Sequence, residues 1–167
     1  MLRLIPADPD HWRYGFELEE SQKTHVSDEK GILARAWVFR EDNPRCYILY
    51  APAEEEPGRE LPEKYTKRAE AGGIPVGTLL IYDDPECEAC DISQLLIDRH
   101  FQRRGYGSQA MLQALELLAA ERRFRRALLC IVRGNEAAER LYTSLGFTLV
   151  DDPDSEVTGE SLYEKLL

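Results

Sequence analysis

No apolar run in this 167-residue chain approaches the roughly 20 residues that a bilayer-crossing helix needs. The opening Met1-Leu-Arg-Leu-Ile-Pro6 is short and soon interrupted by Pro6, Asp8, Pro9 and Asp10, unlike a secretory signal. A cytoplasmic protein is therefore expected. Cysteine is sparse: of Cys46, Cys87, Cys90 and Cys130, only Cys87 and Cys90 stand in a C-x-x-C spacing. A zinc site would need two more ligands; no second pair exists, and His11, His25 and His100 are scattered. Free thiols in a reducing compartment, and no metal, are expected. Positive charge is also short, with 21 basic against 31 acidic residues and a net charge of −10. That balance argues against nucleic acid and anionic membrane as partners. No Lys-Ser/Thr follows Gly107 and no long series of parallel βα units is read from the chain, which argues against an unrelated nucleotide-binding module.

The acidic excess has a location. Asp83, Asp84, Glu86, Glu88 and Asp91 form one group, and Asp151, Asp152, Asp154, Glu156 and Glu160 another, neither with a Lys or Arg inside it. Two readings stay open: solvated turns, or a surface that attracts a cationic small molecule.

The length suits one domain spanning 1–167. Leu2–Ile5 reads as a first strand. Asp10–Glu20 reads as a helix capped by Asp8 or Asp10, with Trp12, Phe16 and Tyr14 on its apolar face. Gly31–Phe39 is a second, shorter helical or mixed stretch, and Cys46–Ala51 a buried-type strand. Residues 52–73, rich in Pro, Gly and charge, read as a surface insertion with one or two helical turns. Ile74–Tyr82 and a strand ending at Ile97 flank a polar turn, the pattern of an antiparallel pair. A helix starts near Ser108, with Met111, Leu115 and Leu118 as its core stripe beside Leu112 and Ala119. Four arginines between 122 and 126 suit its C-terminal end. Ala127–Val132 is continuously apolar and reads as a strand buried on both faces, completing a parallel crossover. Asn135 caps a short helix with Ala138, Leu141 and Leu145 on one face and Gly146 just beyond its end. Thr148–Val150 and Ser161–Leu166 close the fold as a strand pair.

The crossover centres on Asp98-Arg-His-Phe-Gln-Arg-Arg-Gly-Tyr-Gly-Ser108. Strand, basic glycine-containing turn and helix start together make an anion cradle. The first amides of a helix lack backbone acceptors and carry partial positive charge. Gly105 and Gly107 let a phosphate approach the backbone, and Arg103 and Arg104 add charge.

Two motifs then combine. Gln102-Arg-Arg-Gly-Tyr-Gly107 and, some thirty residues on, Asn135-Glu-Ala-Ala-Glu-Arg-Leu-Tyr-Thr-Ser-Leu-Gly-Phe147 resemble the two signature motifs of the GNAT superfamily of acetyl-CoA-dependent N-acetyltransferases. The resemblance covers about residues 74–150 well and the N-terminal part loosely. Within the superfamily the chain is most similar to bacterial diamine and polyamine (spermine/spermidine) acetyltransferases, on Trp12, Glu20-Ser-Gln22, Leu33-Ala-Arg-Ala36, Tyr82-Asp-Asp-Pro85, Ile97-Asp98 and Phe101-Gln102. The 52–73 insertion and Asp91-Ile-Ser-Gln94 depart from that subfamily's pattern.

The resemblance implies an α/β (α+β) fold: a mixed, mainly antiparallel sheet of six to seven strands flanked by about four helices. It implies acetyl-CoA as co-substrate. Leu95, Leu96 and Ile97 would face the pantetheine arm and the oxyanion. Gln102, Arg103, Arg104, Gly105, Tyr106, Gly107 and Ser108 would hold the pyrophosphate, and Asn135 and Ala138 would contact the cofactor. Tyr142 would protonate the departing thiolate. Ser93 stands where a relative often places a glutamate; Asp91, two residues earlier on the same strand face, becomes the first candidate for the base, with Glu20, Asp83 or a water chain without a single base as alternatives. Glu20, Asp83 and Ser93 are the candidate amine-site residues. The expected partners are acetyl-CoA and a small primary amine, with a homodimer left open. A peptide or protein N-terminal acetyltransferase and a non-catalytic acyl-CoA-binding domain are the competing readings.

Overall fold

The computed structural model describes residues 1–8, 14–53, 62–66 and 73–167. Among them seven strands form one sheet: β1 (Arg3–Pro6), β2 (Arg45–Pro52), β3 (Gly73–Asp84), β4 (Ala89–Ile97), β5 (Arg126–Val132), β6 (Thr148–Leu149) and β7 (Glu160–Leu166). The helices are α1 (Glu29–Val38), the single turn α2 (Glu63–Thr66), α3 (Tyr106–Glu121), α4 (Glu136–Ser144) and the single turn α5 (Ser155–Thr158). Sheet order is β1-β2-β3-β4-β5-β7-β6. Every neighbouring pair is antiparallel except β4 and β5, which are parallel.

That parallel joint is very short. Only Cys90↔Ala127 and Asp91↔Leu128 are in register, although β4 runs on to Ile97 and β5 to Val132. The strands therefore part after Asp91 and leave a fork in the sheet. On the other side of β4, pairing with β3 continues from Asp84↔Ala89 to Gly77↔Ile97. A bulge interrupts it: Leu80 faces Gln94 and Ile81 faces Ile92, leaving Ser93 as the extra residue.

One apolar cluster lies on the α3 face of the sheet and includes Leu79, Ile81, Cys90, Ile92, Met111, Leu115, Leu118, Ala127, Leu129 and Ile131. The smaller cluster on the α1 face contains Tyr14, Phe16, Ile32, Ile48, Tyr50, Leu80 and Leu96. The α3 stripe is as the periodicity predicts, although Leu112 is exposed and the helix begins at Tyr106.

The structure differs from the sequence reading in places. Residues 14–19 are not helical; Gly15 adopts φ +63°, which breaks a right-handed helix, and Tyr14 and Phe16 reach the core at the two-residue spacing of extended chain. Residues 10–13 of the expected helix, with Trp12, lie outside the described residues, as does most of the 52–73 stretch. β5 is not buried on both faces: Cys130, beyond the fork, is exposed.

Gly77 has a steric reason. A Cβ there would lie 2.1 Å from the Leu96 carbonyl oxygen, so β3 and β4 could not keep their spacing. Gly77→Ala should lower stability by about 2–4 kcal/mol, read as the chemical-denaturation midpoint; an unchanged midpoint would show that β4 moves freely at Leu96.

Candidate functional site

The bulge and the fork together arrange the site. Leu95 and Ile97 pack on the α3-side cluster while Leu96 belongs to the α1 side. Asp98 N donates to Val76 O at 2.9 Å. By the alternation of an antiparallel ladder, Leu95 and Ile97 then turn their backbone groups away from β3, toward the open edge. That edge has no β5 partner beyond Asp91, and it suits an extended ligand with amides of its own. One of its acceptors is already engaged: Gln102 Nε2 donates to Ile97 O at 3.1 Å and to Gln22 Oε1 at 2.5 Å. Gln102 thus braces the loop from inside.

At the far end of β4 the chain turns into α3. Arg103 and Gly105 sit in the left-handed region at φ +60° and +76°, and a Cβ on Gly105 would meet nothing within 4 Å. The first bond of the helix runs from Gln109 N to Gly105 O, 3.0 Å, so the amides of the preceding residues gather at its end. Arg103 and Arg104 are exposed beside them. This cradle fits a pyrophosphate. Tyr106 contributes only its backbone there, because its ring is buried in the core. Across the fork, α4 comes close: a Cβ on Gly107 would lie 3.5 Å from Leu141 Cδ2 and 3.9 Å from Ile97 Cγ1. Asn135 caps α4, its Oδ1 accepting from Ala138 N at 3.2 Å, which leaves its side-chain NH₂ for a ligand. Ala138 packs half-buried on the core. Tyr142, next to Leu141, stacks edge-on against Phe147 at 5.9 Å. Burial pushes its phenol up to about 12, so it stays protonated at neutral pH.

The opposite face of β4 carries Asp91 and Ser93. Asp91 is the last residue paired to β5 and lies opposite Tyr82 in β3. Asp91 Oδ1 and Ser93 Oγ are buried without a well-formed hydrogen bond, the Tyr82 hydroxyl making only a looser interaction with these side chains, a costly arrangement unless a ligand or water completes it. Burial pushes the Asp91 carboxyl up to about 6; Tyr82 and the Arg35 guanidinium oppose the rise, and Asp84 and Glu160 add to it. Phe39 stacks on Tyr82 at 4.9 Å, with Arg35 5.5 Å above Phe39, walling this side. Across the fork, the Cys130 thiol is pushed up to about 11 by desolvation of the sulfur first and then by Asp91, Glu160 and Asp152. It is a neutral thiol, and it registers the negative field at the mouth.

Asp83 and Glu20 are placed elsewhere. Asp83 is buried on the α3 face, held by Arg45 at 2.9 Å, Arg123 at 2.6 Å and Asn43 at 3.1 Å. Its charge is compensated by distant residues that the local sequence does not reveal, and its carboxylate is committed to structure. Glu20 is exposed in a 3-10 turn and pairs with Lys23. Among the described residues, no group of three or more His, Cys, Asp or Glu could hold a metal, and no helix is long and apolar enough to cross a membrane.

A profile of the Acetyltransferase (GNAT) family matches residues 10–147. The chain belongs to that family. It is an acetyl-CoA-dependent N-acetyltransferase. No curated protein sequence matches it. Among solved structures, an acetyltransferase from Thermus thermophilus superposes with a TM-score of 0.67 at 22% identity, covering 100% of this chain and 97% of that one. Spermidine N-acetyltransferase from Vibrio cholerae, in complex with CoA and spermine, gives 0.66 at 12% identity, covering 99% and 95%. A ribosomal L7/L12 alpha-N-protein acetyltransferase in complex with coenzyme A gives 0.64 at 16%, covering 99% and 94%. These likenesses are likenesses of fold. In this GNAT chain the fork separates two chemistries: a carboxyl group that titrates near neutrality on the α1 face, and a protonated phenol on the α4 side.

Proposed function

We propose that this GNAT enzyme acetylates a primary amine of a small cationic acceptor such as a diamine or polyamine, with Asp91 as the general base and Tyr142 as the general acid. The observation that carries this reading is the buried Asp91 Oδ1, without a well-formed hydrogen bond, at the base of the fork, in a field made negative by Glu160 and Asp152. An ammonium supplies both a well-formed hydrogen bond to Asp91 Oδ1 and the charge that the mouth favours. Arginine is present in Arg35, yet it lies over Phe39 and hydrogen-bonds Tyr82, and it only partly offsets the rise of the Asp91 carboxyl to about 6.

Acetyl-CoA supplies a thioester carbonyl for attack. Leu95 and Ile97 offer the open strand edge to its pantetheine arm, and the amides of Arg103 through Ser108 face its pyrophosphate. Asp91 takes the ammonium proton, directly or through one water, freeing the nitrogen lone pair. A β4 amide at the open edge stabilises the oxyanion. Tyr142 gives its proton to the leaving sulfur. The similarity in fold to a spermidine N-acetyltransferase is consistent with this acceptor class.

The test is thiol release from acetyl-CoA against diamines, polyamines, free amino acids and peptides. Turnover should be highest with an acceptor carrying two or more ammonium groups and should fall as salt rises. Faster turnover of neutral-side-chain peptides than of any polyamine would overturn the acceptor assignment.

A further inference from the structure

Asp98 ends β4 and opens the cofactor loop, and it touches no position where acetyl transfer takes place. It is nevertheless a fully buried carboxylate. Four donors from three separate segments converge on it. Tyr65 OH donates to Oδ2 at 2.6 Å and Glu17 N to the same oxygen at 2.7 Å. His100 N and His100 Nδ1 both lie 2.9 Å from Oδ1. Tyr65 comes from α2, the described part of the 52–73 insertion, and is itself almost fully buried, edge-on to Phe101 at 5.2 Å. Burial and the bond to Asp98 raise its phenol far above the ordinary tyrosine range, so it is a permanent donor.

A second set of contacts runs alongside. Lys64, also in α2, donates to Gly15 O at 3.0 Å and to Glu17 Oε1 at 2.7 Å. Arg99 donates from its backbone N to Glu17 O at 2.8 Å and pairs through Nη2 with Glu17 Oε2 at 2.6 Å. The Lys64 hydrogen bond, then the charges of Lys64, Arg99 and His100, hold the Glu17 carboxyl below its ordinary range. Three residues on, Gln102 bonds Gln22 and Ile97 O as described. The insertion, the segment 15–22 and the loop 98–102 are therefore fastened at one point, directly upstream of the phosphate cradle.

A buried charge is a poor means of gaining stability, since an apolar group of the same volume often does as well. What it does supply is a single arrangement, because the two oxygens of Asp98 take donors from three separate segments and any other placement leaves a group unsatisfied. We propose that the insertion serves the acetyl-CoA site: Tyr65 and Lys64, acting through Asp98 and Glu17, are positioning residues that hold the cradle Arg103–Ser108, and the segment 15–22 fastened beside it, in the binding-competent geometry. The proposal rests on the reading of that cradle as the CoA pyrophosphate site.

The test measures CoA binding by calorimetry, independently of any amine. Tyr65→Phe keeps the ring against Phe101 and removes the hydroxyl, with its bond to Asp98 and its 3.2 Å contact with His100 Nδ1. It should weaken CoA binding about five- to tenfold, raise the KM for acetyl-CoA similarly, and leave kcat within about twofold. Hydrogen exchange should quicken at residues 99–104 while α3 amides from Ala110 to Leu118 keep their protection. Lys64→Met should act in the same direction more weakly, and Asp98→Asn more strongly. Unchanged CoA affinity in both Tyr65→Phe and Lys64→Met overturns the proposal. So does exchange that rises equally along α3, which would signal general loosening. Gly105→Val checks the underlying reading: if it leaves CoA affinity intact, the cradle assignment itself falls, whereas loss of affinity there with none in Tyr65→Phe removes only the role of the insertion.

Discussion

Replacing Asp91 with Asn should abolish most turnover and make the protein more stable at the same time. General-base catalysis contributes about 10²–10⁴-fold, so kcat/KM should fall by that order on the best acceptor. In the parent enzyme, kcat/KM should rise with pH through a limb near 6, the value to which burial lifts this carboxyl. In Asp91→Asn the limb should vanish. Stability moves the other way. A carboxyl whose folded pKa lies above its unfolded value holds more protons in the native state between about pH 4 and 6, so native stability declines across that window as pH rises. At neutral pH the buried ionised carboxylate costs about 2–3 kcal/mol. Asn carries no charge, so the variant should melt higher at pH 7–8 and lose that advantage below about pH 4. A paired measurement of pH–rate profile and melting temperature checks both signs. An acid limb that persists in the variant would show that another group sets it and that Asp91 is structural.

Tyr142→Phe should leave the fold nearly unchanged and lower kcat by about 10²-fold or more. The Phe ring retains the edge-on contact with Phe147, and the hydroxyl has no hydrogen bond to another described residue that would be lost. The KM for acetyl-CoA should hardly move, since the interaction removed is one made only as sulfur departs. With a thioester whose leaving thiol is more acidic, the deficit should shrink, because such a thiolate needs less protonation. Turnover equal to the parent's across pH would remove Tyr142 from the mechanism.

Much of this site could be read from the chain. The glycines and arginines at 103–107 and the Asn135–Phe147 helix are local signals, and their elements stand close to where periodicity and capping place them. Asp91 and Ser93 could be named because strand alternation puts them on one face. The bulge at Ser93, however, depends on the register with β3, which the spacing of residues does not state. The same limit explains Asp83. Its neighbours in sequence are acidic, but its partners Arg45 and Arg123 lie about 40 residues away on either side, so a committed ion pair looked like a vacant carboxylate. Tyr14 and Phe16 misled for a different reason: Gly15 between them selects a left-handed turn over a helical one. Asp98 belongs to the stretch that the motifs mark, but its role does not show there, because a buried acceptor is recognisable only once Glu17, Tyr65 and His100 have been brought to it.

The two rungs between β4 and β5 have a mechanical consequence. The sheet is a four-stranded plate and a three-stranded plate riveted at one corner, and separating them breaks very little backbone bonding. A ligand that lies along the gap and bonds to both edges acts as a splint. Affinity for such a ligand and resistance to prying the plates apart are then one property of the molecule, so an empty enzyme pulled at its two ends should part first at this seam, and a loaded one should yield elsewhere.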